Sequence, residues 1–147
     1  MQSLAVEYLP VDKLVPYARN ARTHSGEQVA QIAGSIKEFG FTNPILIDGE
    51  NGLIAGHGRL QAARKLGMAT VPCIQLSGLT EMQKKAYILA DNKLAMNAGW
   101  DNELLALELA DIELEGSRTG RHRNVCRLCA RKLVDSRSLS TAQQGKQ

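Results

Sequence analysis

An apolar run, Leu53-Ile54-Ala55, passes directly into a glycine turn, Gly56-His57-Gly58-Arg59, and the turn into a helix signal over Leu60–Leu66. No other feature constrains the chain as tightly. A strand handed straight to a helix belongs to a layered protein in which helices pack on a sheet. The junction also suggests a chemistry. A glycine turn that opens a helix leaves backbone N–H groups pointing one way, which suits an anion. Arg59, in the first helical turn, can meet a phosphate with two parallel bonds. The competing explanation is ordinary turn geometry with a solvated arginine. The dinucleotide fingerprint fails, because its third glycine position is Gln61, and no Gly-Lys-Ser/Thr follows to make a Walker-type loop.

The rest of the chain supplies matching elements. Val6–Leu9 reads as a strand stopped by Pro10, and Val11–Leu14 as one helical turn. Pro16–Thr23 is a polar loop. Ser25 caps a helix, with Gln28 completing a capping box. Val29, Ile32, Ala33, Ile36 and Phe39 give that helix its apolar face, and Gly40 closes it in the left-handed position. Pro44–Asp48 is a strand, Gly49–Gly52 a hairpin turn, and Leu53–Ala55 the strand before the glycine turn. Gly67 closes the next helix. Val71–Leu76 is a fourth strand, in which Cys73 serves as a small buried hydrophobe. Thr80 and Gln83 box the start of a long helix reaching about Asn97. Asp101 caps a last helix carrying Leu104, Leu105, Leu107 and Leu109. The expected fold is therefore α/β: an α+β arrangement on a mixed sheet, with helices at the C-terminal end.

At 147 residues, one domain can bury a substantial core, and aromatics at 4% leave aliphatic side chains and alanine to fill it. Neither a membrane span nor a secretory signal is visible, and the three cysteines form no disulfide framework, so the expected location is cytoplasmic. The net charge of +3 is unevenly spread. Residues 1–115 hold 10 Lys/Arg against 14 Asp/Glu, whereas residues 116–147 hold 8 against a single Asp. We accordingly expect a domain over 1–115 and a basic, disordered tail over 116–147. Such a tail suits nucleic acid, with Arg121, Arg123, Arg127 and Arg131 on the phosphate backbone, or is merely solvated. His122, Cys126 and Cys129 have zinc-like spacing but lack a fourth ligand, so zinc is not expected.

Two further clusters could carry chemistry. One is the loop Arg19-Asn20-Ala21-Arg22-Thr23-His24. The other is Asp91-Asn92-Lys93 in the long helix, where Asp and Asn are poor interior residues. Hard oxygen ligands for Mg²⁺ shared with a phosphate would explain that pair, as would a local cap or bend. His57 is a weak candidate for a general base, since a lone histidine in a turn more often serves as a hydrogen-bonding group.

The runs Pro44-Ile45-Leu46-Ile47-Asp48, Ile54–Gly67 and Val71-Pro72-Cys73-Ile74 together resemble the N-terminal domain of ParB partition proteins, in the superfamily that includes sulfiredoxin and the ParB-like nuclease domains. The resemblance covers roughly residues 4–112. Pro16–His24 and Ala90–Asp101 resemble a phage and bacterial branch in which such a domain often precedes a DNA methyltransferase, as a partner or a fusion.

This resemblance implies a ParB/sulfiredoxin-like fold and binding of a nucleoside triphosphate, CTP or ATP, with Mg²⁺. It assigns the phosphates to Gly56, His57, Gly58 and Arg59, where ParB carries Gly-Glu-Arg-Arg. It assigns the metal to Asp91 and Asn92, where ParB has Glu-Asn, and the loop contacts to Asn20 and Arg22. Sulfiredoxin chemistry is not expected, because the reactive cysteine position of that family is His57 here.

The implied function is a nucleotide-binding domain acting on or near DNA, with NTP hydrolysis as a further expectation. The alternatives are a non-catalytic accessory module of a DNA methyltransferase system and a metal-dependent DNase. The abrupt change after Glu115 is read as a truncation or a change of reading frame, ending the family similarity.

Overall fold

A computed structural model describes residues 3–20, 23–99 and 101–119. Strand β1 (Val6–Pro10) leads into a single 3-10 turn (Val11–Lys13), then helix α1 (Gly26–Phe39), strands β2 (Ile45–Ile47) and β3 (Leu53–Ala55), helix α2 (His57–Lys65), strand β4 (Thr70–Gln75), and helices α3 (Glu81–Asn97) and α4 (Asn102–Thr119). The strands form one sheet in the order β1-β4-β2-β3. β1 runs antiparallel to β4, β4 parallel to β2, and β2 antiparallel to β3. The mixed α/β sheet expected from the sequence is what the chain forms.

The chain divides into a unit over Met1–Ala98 and a second beginning at Gly99. In the first, Ile45, Ile47, Leu53, Val71 and Cys73 from the strands meet Leu60 and Ala63 of α2, with Val11 and Leu14 from the 3-10 turn region. Full burial of an aliphatic side chain contributes about 1.5–3 kcal/mol, so these contacts hold α2 to the sheet. Cys73 is buried as a packing residue. A second cluster joins α1 to α2 through Val29, Ala33 and Ala62, with Ile32 and Ile36 alongside. In the second unit, Asp101 caps α4 by accepting from the amides of Glu103 and Leu104, both at 3.1 Å.

Several local expectations need correction. Pro10 ends β1 inside the ladder, paired with Thr70, because an edge strand tolerates a residue with no N–H. Gly40 has the positive φ expected, 84°, but its ψ of 176° lies far from the left-handed helical value, in a region open essentially to glycine alone. Phe39 is 54% exposed and is not among the residues that join α1 to α2. The capping box of α1 is half formed: Ser25 accepts from the Gln28 amide, but Gln28 Oε1 faces His24 Nδ1 at 3.2 Å. The box at α3 is complete, between Thr80 and Gln83.

Candidate functional site

Strand β3 stops at Ala55 and α2 starts at His57, so Gly56 is the entire connection. Gly56 adopts φ 108°, ψ 24°, a left-handed conformation that side-chain-bearing residues avoid. A Cβ there would lie 3.0 Å from Arg59 Nη2 and 3.1 Å from Ile45 Cγ1. As the N-cap, Gly56 provides a carbonyl for the Leu60 amide at 2.9 Å but no side-chain cap for the first-turn amides.

Arg59 folds back across this helix end. Its Nη2 donates to the Pro44 carbonyl at 3.1 Å, and its Nε is shielded from solvent. The placement is electrostatically odd. A helix N-terminus carries positive partial charge and favours anions, while cations belong at the other end. Arg64 and Lys65 obey that rule in the last turn of α2, and the first turn itself contains no acidic residue. Uncapped amides at a helix N-terminus are in general suited to anions.

Gly58 has a different local reason. It is buried, and a Cβ there would lie 2.9 Å from both His24 Cε1 and Ile32 Cδ1. Its missing side chain lets α2 approach the start of α1. Its amide remains in the first turn of α2, alongside that of His57.

His57 Nε2 accepts a hydrogen bond from the Tyr17 amide at 3.1 Å, across 40 residues of sequence. The neutral ring therefore carries its proton on Nδ1. Burial, and then the neighbouring His24, push the His57 pKa below the ordinary imidazole value. The Asn20 amide donates to the Tyr17 carbonyl at 3.1 Å, closing a turn in the same loop. Arg22 lies outside the described residues.

Asp91 is exposed and Asn92 half-buried. Helix α3 runs unbroken from Glu81 to Asn97, so the pair does not cap a helix end. Their apolar neighbours Leu89 and Leu94 are exposed, at 59% and 68%. No group of three His, Cys, Asp or Glu able to hold a metal occurs among the described residues. Arg121, Arg123, Arg127, Arg131, His122, Cys126 and Cys129 lie outside them.

One anchor was not read from the sequence. Asp48 Oδ1 accepts from the amides of Glu50 and Gly52, both at 2.8 Å, and Asp48 Oδ2 from Lys84 Nζ at 3.0 Å. Burial raises the Asp48 carboxyl, but these donors outweigh it and hold the pKa below the usual carboxylate value. Lys84 also meets Glu81 at 2.6 Å, and hydrogen bonds to Glu81 and Asp48 push its pKa up to about 12. Aspartate before Gly-Glu-Asn-Gly signals a side-chain-supported turn. A lysine partner 36 residues away carries no local signal.

Residues 1–92 match the model of the ParB N-terminal domain family. The chain belongs to that family. Among its relatives is the ParB-like nuclease domain-containing protein YnaK of Escherichia coli K12, 58% identical over 84 residues, which cover 57% of this chain and 97% of YnaK. A probable chromosome 2-partitioning protein ParB of Deinococcus radiodurans is 32% identical over 95 residues, covering 62% of this chain but 32% of that protein.

The ParB fold is also seen in the C-terminally truncated chromosome-partitioning protein ParB of Caulobacter crescentus. Its complex with CTP-gamma-S matches with a TM-score of 0.67 at 22% identity, over 85% of this chain and 71% of that one. Its complex with the centromeric parS site matches at 0.51 and 20% identity, over 84% and 64%. No described helix of the ParB-like chain is long and apolar enough to cross a membrane.

Proposed function

We propose that this ParB-like domain binds a nucleoside triphosphate with its phosphates at the N-terminus of α2, and works on or near DNA in the cytoplasm. The observation that carries the reading is Arg59, a cation placed over the positive end of its own helix with no acidic residue in that turn. The amides of His57 and Gly58 and the Arg59 guanidinium form the phosphate contact. Asn20 and Arg22 are assigned as further nucleotide contacts by the family resemblance, Arg22 lying outside the described residues. The complex of the Caulobacter protein with CTP-gamma-S makes CTP the first nucleotide to test.

Mg²⁺ fits the same reading. It is commonly held by one or two protein oxygen ligands together with substrate phosphates. Helix α3 starts beside the β2–β3 hairpin, where Lys84 meets Asp48, and it packs on β3, the strand that leads to Gly56. Asp91 and Asn92 follow two helical turns after Lys84 and offer a carboxylate and an amide oxygen. The metal would neutralise phosphate charge there.

DNA enters through the basic stretch beyond residue 115 and through the parS-bound relative. Association with a DNA methyltransferase belongs to the same proposal. Calorimetry with CTP, ATP and GTP, each with Mg²⁺, tests the reading. Arg59→Ala should weaken binding about 10- to 100-fold, the usual worth of a charged hydrogen bond. Unchanged affinity in that variant, or no binding by the unaltered protein, refutes the site. The second outcome favours an accessory DNA-associated module.

A further inference from the structure

The loop before α1 is tied to the body at two successive points. Val15 is bridged to the hairpin, its amide donating to Asn51 at 3.0 Å and its carbonyl accepting from Leu53 at 2.8 Å. Two residues later, the Tyr17 amide donates to His57 Nε2. The chain then turns, with the Asn20 amide on the Tyr17 carbonyl. The imidazole lone pair of His57 thus ties the segment carrying Asn20 to the first turn of α2.

We propose that His57 is a positioning residue. Its unprotonated Nε2 latches the 16–20 segment beside the phosphate turn, and the ring, unlike the backbone amide of the same residue, acts as neither a phosphate contact nor a base. This inference rests on the nucleotide reading for its consequence, but the latch itself can be tested without nucleotide.

The chemistry of the latch is conditional. Neutral imidazole offers one acceptor, and protonation turns that acceptor into a donor facing another donor. Acid therefore opens the latch. Among the described titratable groups on elements packed against α2, α1 and the two residues before it bring His24, Glu27, Lys37 and Glu38, the 3-10 turn brings Asp12 and Lys13, and β2 brings none. Arg59 follows on α2 itself, and Tyr17 and Arg19 lie on the loop. His24 is the neighbour whose charge acts on the His57 ring, and it opposes protonation.

Glutamine at position 57 supplies an acceptor oxygen near the Nε2 position and cannot titrate. The test is amide hydrogen exchange by NMR on the whole chain without nucleotide, at pH values from 5 to 8. Exchange is expressed as protection relative to the free peptide. Tyr17 should be protected in the unaltered protein above neutral pH and lose protection in acid. His57→Gln should keep it throughout, and His57→Ala should lack it throughout. The Leu60 amide, bonded to Gly56 inside α2, serves as the folding control and should stay protected in all three.

Equal Tyr17 protection in the unaltered protein and His57→Ala overturns the latch. So does a His57→Gln variant that loses protection in acid as the unaltered protein does. CTP affinity, measured in parallel, should fall about 2- to 10-fold with acid in the unaltered protein, the worth of one hydrogen bond, and stay level in His57→Gln. A parallel fall in both overturns the coupling to the site. If no nucleotide binds at any pH, the functional reading fails, and Tyr17 protection alone decides the latch.

Discussion

Gly56→Ala separates two physical demands made on one residue. Backbone comes first: φ of 108° lies where a Cβ meets its own carbonyl, and left-handed conformations cost an L-residue about 1–2 kcal/mol. Space comes second. The new methyl would lie 3.0 Å from Arg59 Nη2 and 3.1 Å from Cγ1 of Ile45, which is completely buried. The arginine can move, but Ile45 cannot move without disturbing the sheet, and overpacking of that kind costs about 1–3 kcal/mol. A reduction in unfolded-chain entropy returns about 0.4–1 kcal/mol. The net loss is about 1–5 kcal/mol, centred near about 3 kcal/mol. At about 4–8 °C per kcal/mol for a unit of this size, that central value lowers the thermal midpoint by about 12–24 °C.

Gly67→Ala is the matched control. It has φ of 67°, but no atom lies within 4 Å of the added carbon, so it pays the backbone cost alone, about 1 kcal/mol. Thermal unfolding by circular dichroism measures both. A Gly56→Ala midpoint no lower than that of Gly67→Ala would refute the close approach of Arg59 and Ile45.

Thr80→Ala removes a complete capping box and should cost about 1 kcal/mol, whereas Ser25→Ala removes one bond of a half-formed box and should cost less; chemical denaturation of the two variants reads the difference. Asp48 has a folded pKa below its unfolded value of about 3.8, so its contribution is present above that pH and is lost as pH falls through the folded value. Acid titration of thermal stability should therefore be shallower in Asp48→Asn than in the unaltered protein, and equal slopes would remove the hub role of this carboxylate. Arg59→Ala should lower nucleotide affinity about 10- to 100-fold, while Arg59→Lys, which keeps the charge but loses the paired donors, should recover part of it; equal affinity in the two variants would remove the two-bond phosphate contact.

Much of the fold was legible because its signals are local. Ser25, Thr80 and Asp101 each announce a helix start through an oxygen that reaches amides two or three residues on. Short apolar runs bounded by Gly, Pro and Asn marked all four strands to within a residue. The glycine turn was legible for the same reason, since φ at Gly56 is a property of a single residue.

What escaped depends on contacts between distant segments. The Tyr17 amide meets His57 across 40 residues, and Lys84 meets Asp48 across 36. Gln28 has the spacing of a capping box, but His24 competes for its side chain. Phe39 fits the apolar period of α1, yet it is exposed and takes no part in the cluster that joins α1 to α2. Gly58 resembles one more phosphate-loop glycine, and its missing side chain makes room for His24 and Ile32.

The one-residue joint between β3 and α2 has an evolutionary consequence. Connections of the usual length, about 2–6 residues, have slack that absorbs an inserted or deleted residue. Gly56 has none: one extra residue would rotate the whole first turn of α2 relative to the sheet that holds it. Descendants of such a junction can diverge by exchanging side chains at fixed spacing, but they are barred from changing its length. The side chains that flank the turn can then be exchanged one at a time while the amides beneath stay in register, so a single frame can host successive specificities.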